Sequence, residues 1–144
     1  MIIAYTDGST YKTNPGPMSW AVVYVKDGEI ISEKMGALYT GTNNKAELLG
    51  VVWALEHDKQ NDLLIRTDSI LTLNIATGIW RAKTNLNEWE RYTSAIKIRE
   101  KRGLITNFEH VKGHGPDIFN KKADSLARLA AAEAARCLKE QEVK

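Results

Sequence analysis

The feature that most constrains this chain is a change of hydrophobic period near residue 42. Before it, apolar residues come in short β-rich runs joined by turn residues; after it, helical spacing sets in and alternates with further short runs. Ile2 to Thr6 is a first run that stops at Asp7-Gly8-Ser9. Asn14-Pro15-Gly16-Pro17 reads as a loop, and Trp20 to Val25 as a second strand. Lys26-Asp27-Gly28-Glu29 turns into a third, Ile30 to about Ala37. Asn44 to His57 is then helical, with Thr42 or Asn43 able to cap it. Leu63 to Thr67 is a fourth strand that stops at Asp68-Ser69, followed by a short helix to Thr77. Asn87 to Arg102 is an amphipathic helix that grows basic toward its end. Ile105 to Val111 is a fifth strand, and Asn120 to about Glu140 an alanine-rich last helix. The order βββαβααβα predicts an α/β fold: a five-stranded mixed sheet, three antiparallel strands and then parallel ones, flanked by helices.

At 144 residues the chain fits one domain, 1–144, with a tail expected to fray from about residue 139. A hydrophobic share of 43% with 26% charged residues excludes a disordered or collagen-like chain. No run approaches the ~18 apolar residues of a membrane span. The single cysteine, Cys137, excludes an internal disulfide and a multi-cysteine zinc site. With one cysteine and no signal-like leader, the expectation is a cytoplasmic protein; a monomer is expected, although the residues themselves are silent on oligomeric state. Net charge is only +2, but its distribution is uneven. Residues 1–72 carry 6 basic and 9 acidic side chains, residues 73–144 carry 14 and 9. An acidic half joined to a basic half suits a metal-binding cleft beside a phosphate-binding surface, although solvated charge clusters by chance as well.

Two strands end alike, in Thr6-Asp7-Gly8-Ser9 and Thr67-Asp68-Ser69. As parallel neighbours they would carry Asp7 and Asp68 side by side at the edge where open α/β sheets bind ligands. Each aspartate alone is more often a turn or helix cap. Glu47 shifts the balance, because it is the only charge in Ala46 to Leu55 and that helix must be largely buried. An ionised carboxylate there costs several kcal/mol unless it is paired, hydrogen-bonded or metal-bound. Asp124 shares a helical face with Asn120, with a surface pair to a neighbouring lysine as the alternative. Such carboxylates converge only around something positive. Hard oxygen donors without a cysteine or histidine cluster point to Mg²⁺ or Mn²⁺. His114, between two glycines, is either a proton relay or an ordinary loop histidine.

Taken together, these segments resemble ribonuclease H, type 1. The matching blocks are Thr6 to Ser9 with Asn14 to Pro17, Thr42 to Leu48, Thr67 to Ser69, and Val111 to His114 followed by Asn120 to Ala127. They stand in the family's order and span nearly the whole chain. The resemblance implies the ribonuclease H-like fold and endonucleolytic hydrolysis of the RNA strand of an RNA–DNA hybrid. It further implies 5′-phosphate and 3′-hydroxyl ends, with two Mg²⁺ ions (Mn²⁺ able to substitute). Asp7, Glu47, Asp68 and Asp124 match the metal-binding carboxylates and His114 the loop histidine. Asn14, Asn43 and Asn44 match positions that read the hybrid's minor groove. Thr42 and Asn85 match a pocket for a DNA-strand phosphate, and Trp80 an aromatic against the DNA sugar. Fuller members carry a basic, tryptophan-rich protrusion where this chain has only Arg81-Ala82-Lys83-Thr84. Lys83, Arg91, Lys97, Arg99, Lys101 and Arg102 are candidates for a compensating basic face. Rival readings are a hybrid-binding module with weak catalysis and another nuclease of the same fold.

Overall fold

The computed structural model describes residues 1–143. Its order is β1 (Ile2–Thr10), β2 (Gly16–Lys26), β3 (Glu29–Gly41), α1 (Asn43–His57), β4 (Leu63–Thr67), α2 (Ile70–Ala76), α3 (Leu86–Lys101), β5 (Thr106–His110) and α4 (Ile118–Val143). The strands form one sheet in the order β3-β2-β1-β4-β5. β1 pairs antiparallel with β2, and β2 with β3, while β1–β4 and β4–β5 are parallel.

The hairpin between β2 and β3 turns on Asp27 and Gly28, both at positive φ (52° and 78°), which matches the right-handed twist of the strands it joins. α1 is capped by Thr42, whose hydroxyl accepts from the Lys45 N–H at 3.2 Å, and α2 by Ser69, which accepts from Thr72 at 3.2 Å. Alternation along β1 divides the core into two layers. Ile2 and Ala4 join Leu48, Val51, Val52, Leu55 and Tyr92 beneath α1 and α3; Tyr5 joins Ala21, Val23, Ala123 and Ala127 beneath α4.

Several boundaries differ from the sequence reading. β1 does not stop at Thr6, because its ladder with β2 continues to Thr10↔Met18, so Asp7-Gly8-Ser9 is strand and not turn. β3 runs to Gly41 for the same reason, its pairing with β2 reaching Gly16↔Gly41. α4 continues through Val143, past the expected fraying point near residue 139. Arg136 bridges Glu133 and Glu140 along the helix, and Gln141 Nε2 donates to the Tyr39 hydroxyl at 3.1 Å. Residue 144 lies outside the described residues. No helix among the described residues is long and apolar enough to cross a membrane.

The basic face expected on α3 is also smaller. Arg99 is wholly buried, donating Nε to Thr106 Oγ1 at 2.7 Å and its terminal nitrogens to the carbonyls of Asp58 and Asn61, so it clamps the α1–β4 loop to β5. Arg91 is forked onto Glu56 at 2.9 and 2.6 Å, and Arg102 bonds the Lys59 carbonyl.

Candidate active site

Parallel pairing between β1 and β4 ends at Thr6↔Thr67, so the next residues, Asp7 and Asp68, emerge side by side. The start of α1 reaches the same place because Gly8 has no side chain: a Cβ there would lie 2.4 Å from the Glu47 amide nitrogen. That backbone approach lays Glu47 against Asp7. Asp7, Glu47 and Asp68 each offer a carboxylate oxygen within 4.8 Å of the others. Asp124, on α4, lies at the rim. Its carboxylate takes the Arg128 Nε at 3.2 Å, yet its charge helps to raise both Asp7 and Asp68.

The electrostatics of this cluster are unfavourable as it stands. Burial, then the neighbouring Asp68 and Asp124 carboxylates, push the Asp7 carboxyl up to about 7, against a hydrogen bond with Glu47 that draws it down. Burial and the charge of Asp7 hold Glu47 well above the usual carboxylate range. Asp68 is raised by burial and by Asp124, against the opposing pull of His110 and His114. Asp7 Oδ1 accepts from the Gly8 N–H at 2.9 Å, but Asp7 Oδ2 and Glu47 Oε2 are buried with no partner. Buried oxygens left empty amid like charges fit a divalent cation, and an all-oxygen donor set fits a hard one.

Beside the cluster lies a polar ledge. Asn14 Oδ1 accepts from the Asn43 N–H at 3.0 Å, and the Thr10 hydroxyl donates to Asn43 Oδ1 at 2.9 Å. The Asn14 loop and the α1 start are thereby held together, with Asn43 and Asn44 exposed. A cleft of about 500 Å³ follows, lined by Asn44, Trp80, Arg81, Lys83, Asn85 and Trp89 among others. Thr42 does not line it; its hydroxyl caps α1. Asn85 stands at the α3 N-cap in the left-handed region (φ 54°) and Trp80 is half exposed. Arg81 and Lys83 are exposed and have no acidic partner within 4.0 Å among the described residues. His114 is exposed at φ 55° on the β5–α4 loop, whose Gly113 abuts Asp68: a Cβ on it would lie 3.2 Å from Asp68 Oδ2.

Three contributors escaped the sequence reading. His110 ends β5 opposite Thr67 and lowers Asp68 by its charge; the matched lengths of β4 and β5 were the available signal. Thr10 supports Asn43. Asp117 caps α4, accepting from Phe119 and Asn120 at 2.9 and 3.2 Å, and takes the Tyr5 hydroxyl at 3.0 Å, which ties α4 to β1.

An acidic cluster at the carboxyl edge of a mixed sheet, next to an amide ledge and a cationic cleft, defines a class of nucleic-acid hydrolase. The RNase H family model matches residues 1–132. A ribonuclease H from Jannaschia sp. (strain CCS1) is 37% identical, with 91% of each chain covered. Among solved structures, RNase H1 from the halophilic archaeon Halobacterium salinarum NRC-1 superposes with a TM-score of 0.76 at 29% identity, covering 92% of this chain and 98% of that one. LC11-RNase H1, solved with an RNA/DNA hybrid, gives 0.77 at 26% identity, covering 94% and 99%. The chain belongs to the RNase H family. Within it the chain is of type 1, and it is an enzyme, a ribonuclease H.

Proposed function

We propose that this chain hydrolyses the RNA strand of RNA–DNA hybrids by two-metal-ion catalysis, leaving 5′-phosphate and 3′-hydroxyl ends. The observation that carries the reading is the pair of buried, unpartnered oxygens, Asp7 Oδ2 and Glu47 Oε2, within reach of Asp68. Asp7, Glu47, Asp68 and Asp124 hold the ions, Mg²⁺ with Mn²⁺ as substitute. When bound, such ions supply an activated water and stabilise the leaving oxygen. His114, on its loop above Asp68, moves a proton as the product departs. Asn14, Asn43 and Asn44 read the minor groove, where 2′-hydroxyls mark the RNA strand. Trp80 packs on a DNA sugar, Asn85 holds a DNA-strand phosphate from the cleft, and Thr42, whose hydroxyl accepts from Lys45 at the α1 cap, keeps its O–H to donate to that phosphate. Arg81 and Lys83, exposed in the lining of that cleft, supply cations for that strand in place of a larger protrusion, so binding is strongly salt-dependent. The enzyme acts as a monomer in the cytoplasm.

The test is cleavage of labelled RNA–DNA hybrid, double-stranded RNA and four-way DNA junctions, each with Mg²⁺, Mn²⁺, Ca²⁺ or EDTA. Cutting of the hybrid's RNA strand alone, with Mg²⁺ or Mn²⁺ and not with Ca²⁺, is the expected result. Junction cleavage would favour another nuclease of this fold, and binding without cutting a mere hybrid reader. His114→Ala is expected to lower kcat by about 10²-fold with little change in KM. An unchanged kcat would return His114 to an ordinary loop residue.

A further inference from the structure

Four buried side-chain atoms among the described residues lack a hydrogen-bond partner: Thr6 Oγ1, Asp7 Oδ2, Glu47 Oε2 and Asn120 Oδ1. Such orphans weaken a fold and call for a reason. Two belong to the acidic cluster. Thr6 points to the opposite face of β1, toward Gly50 of α1. Asn120 is only 2% exposed, and nothing in the proposed reaction yet uses it.

Its position relates it to the cluster. Asn120 and Asp124 lie one turn apart on one face of α4. The neighbouring Ala123 and Ala127 pack that helix against Tyr5, Ala21 and Val23. Tyr5 and Asp7, two residues apart, share the face of β1 that lies beneath α4. Asp117 holds the Tyr5 hydroxyl and the Asn120 N–H together, at 3.0 and 3.2 Å. Asn120 therefore sits between that anchor and Asp124, on the side of the sheet that carries Asp7. Packing alone does not ask for an amide among alanines.

Mg²⁺ keeps several waters when carboxylates bind it, and those waters need acceptors for their hydrogens. A neutral acceptor serves without adding charge to a cluster already crowded with it. We propose that Asn120 is a positioning residue of this site, its carboxamide oxygen accepting a hydrogen bond from a water that the divalent cation carries in. This rests on the metal-site reading above.

Asn120→Ala and Asn120→Asp are compared with the unaltered chain in three measurements. These are Tm in EDTA, the Mg²⁺ dependence of Tm without substrate, and kcat and KM on hybrid. For Asn120→Ala the metal-free Tm holds or rises, since a buried orphan is removed. The Mg²⁺ needed for half of the thermal shift rises about tenfold, kcat falls about tenfold and KM stays within about twofold. Asn120→Asp, which keeps an oxygen in place, retains the Mg²⁺ response. A metal-free Tm lowered by more than about 5 °C in Asn120→Ala, with the Mg²⁺ response and kcat intact, would make Asn120 a purely structural amide and overturn the proposal. So would an Asn120→Asp response as weak as that of Asn120→Ala. Failure of the metal-site reading itself shows separately, as an unaltered chain whose Tm ignores Mg²⁺.

Discussion

Asp68→Asn is expected to abolish hybrid cleavage, by at least about 10³-fold in kcat, while hybrid binding stays measurable. Asp68 closes the triangle with Asp7 and Glu47 and is only partly buried, with two histidines already offsetting its charge. An amide there keeps the shape and the hydrogen-bonding capacity but withdraws a negative charge from the ion site. Losing about 4 kcal/mol of transition-state stabilisation corresponds to roughly that factor. The same change relieves like-charge repulsion on Asp7, so the metal-free variant is expected to melt no lower than the parent. Undiminished turnover would remove Asp68 from the ion site and, with it, the proposed mechanism.

The second large effect concerns pH. In EDTA, the protein is expected to lose stability as pH rises from about 5 to about 8. The folded chain holds a proton on Asp7 up to about 7 and on Glu47 well above its ordinary value, whereas the unfolded chain releases them near 3.8 and 4.5. Within that window the folded state binds more protons, so each step upward in pH favours unfolding. The contribution is full below about 4 and lost once pH has passed 7. For Asp7 alone this is of the order of 4 kcal/mol, or about 10 °C in Tm for a domain of this size. Mg²⁺ reverses the trend by stabilising the charged forms. It is expected to raise Tm strongly at pH 8 and hardly at pH 5, where protons compete with it. Thermal melts at four pH values with and without Mg²⁺ measure this directly; a metal-free Tm that climbs toward pH 8 would contradict the electrostatics of the cluster.

Much of this was legible in the residues. The strand and helix order, the Asp7–Asp68 adjacency and the oddity of Glu47 in an apolar helix all rest on local pattern, which survives folding. What local pattern does not carry is partnership across the sheet. Asp7-Gly8-Ser9 reads as a turn because glycine and serine favour turns, yet the ladder with β2 holds it extended. Arg99 reads as part of a basic face because its sequence neighbours are basic, but helix geometry turns it inward onto two carbonyls. Asn120 was visible only as a neighbour of Asp124; its missing partner is a property of the packed interior.

The cluster draws on β1, α1, β4 and α4, and β1 is the central strand of the sheet. Its first contributor leaves the ribosome early and Asp124 only near the end. A nascent chain paused before α4 has emerged lacks that rim carboxylate and the Tyr5–Asp117 tether, and one half of its sheet lies bare. The acidic cluster is therefore complete only once the last element of the chain has docked on the sheet.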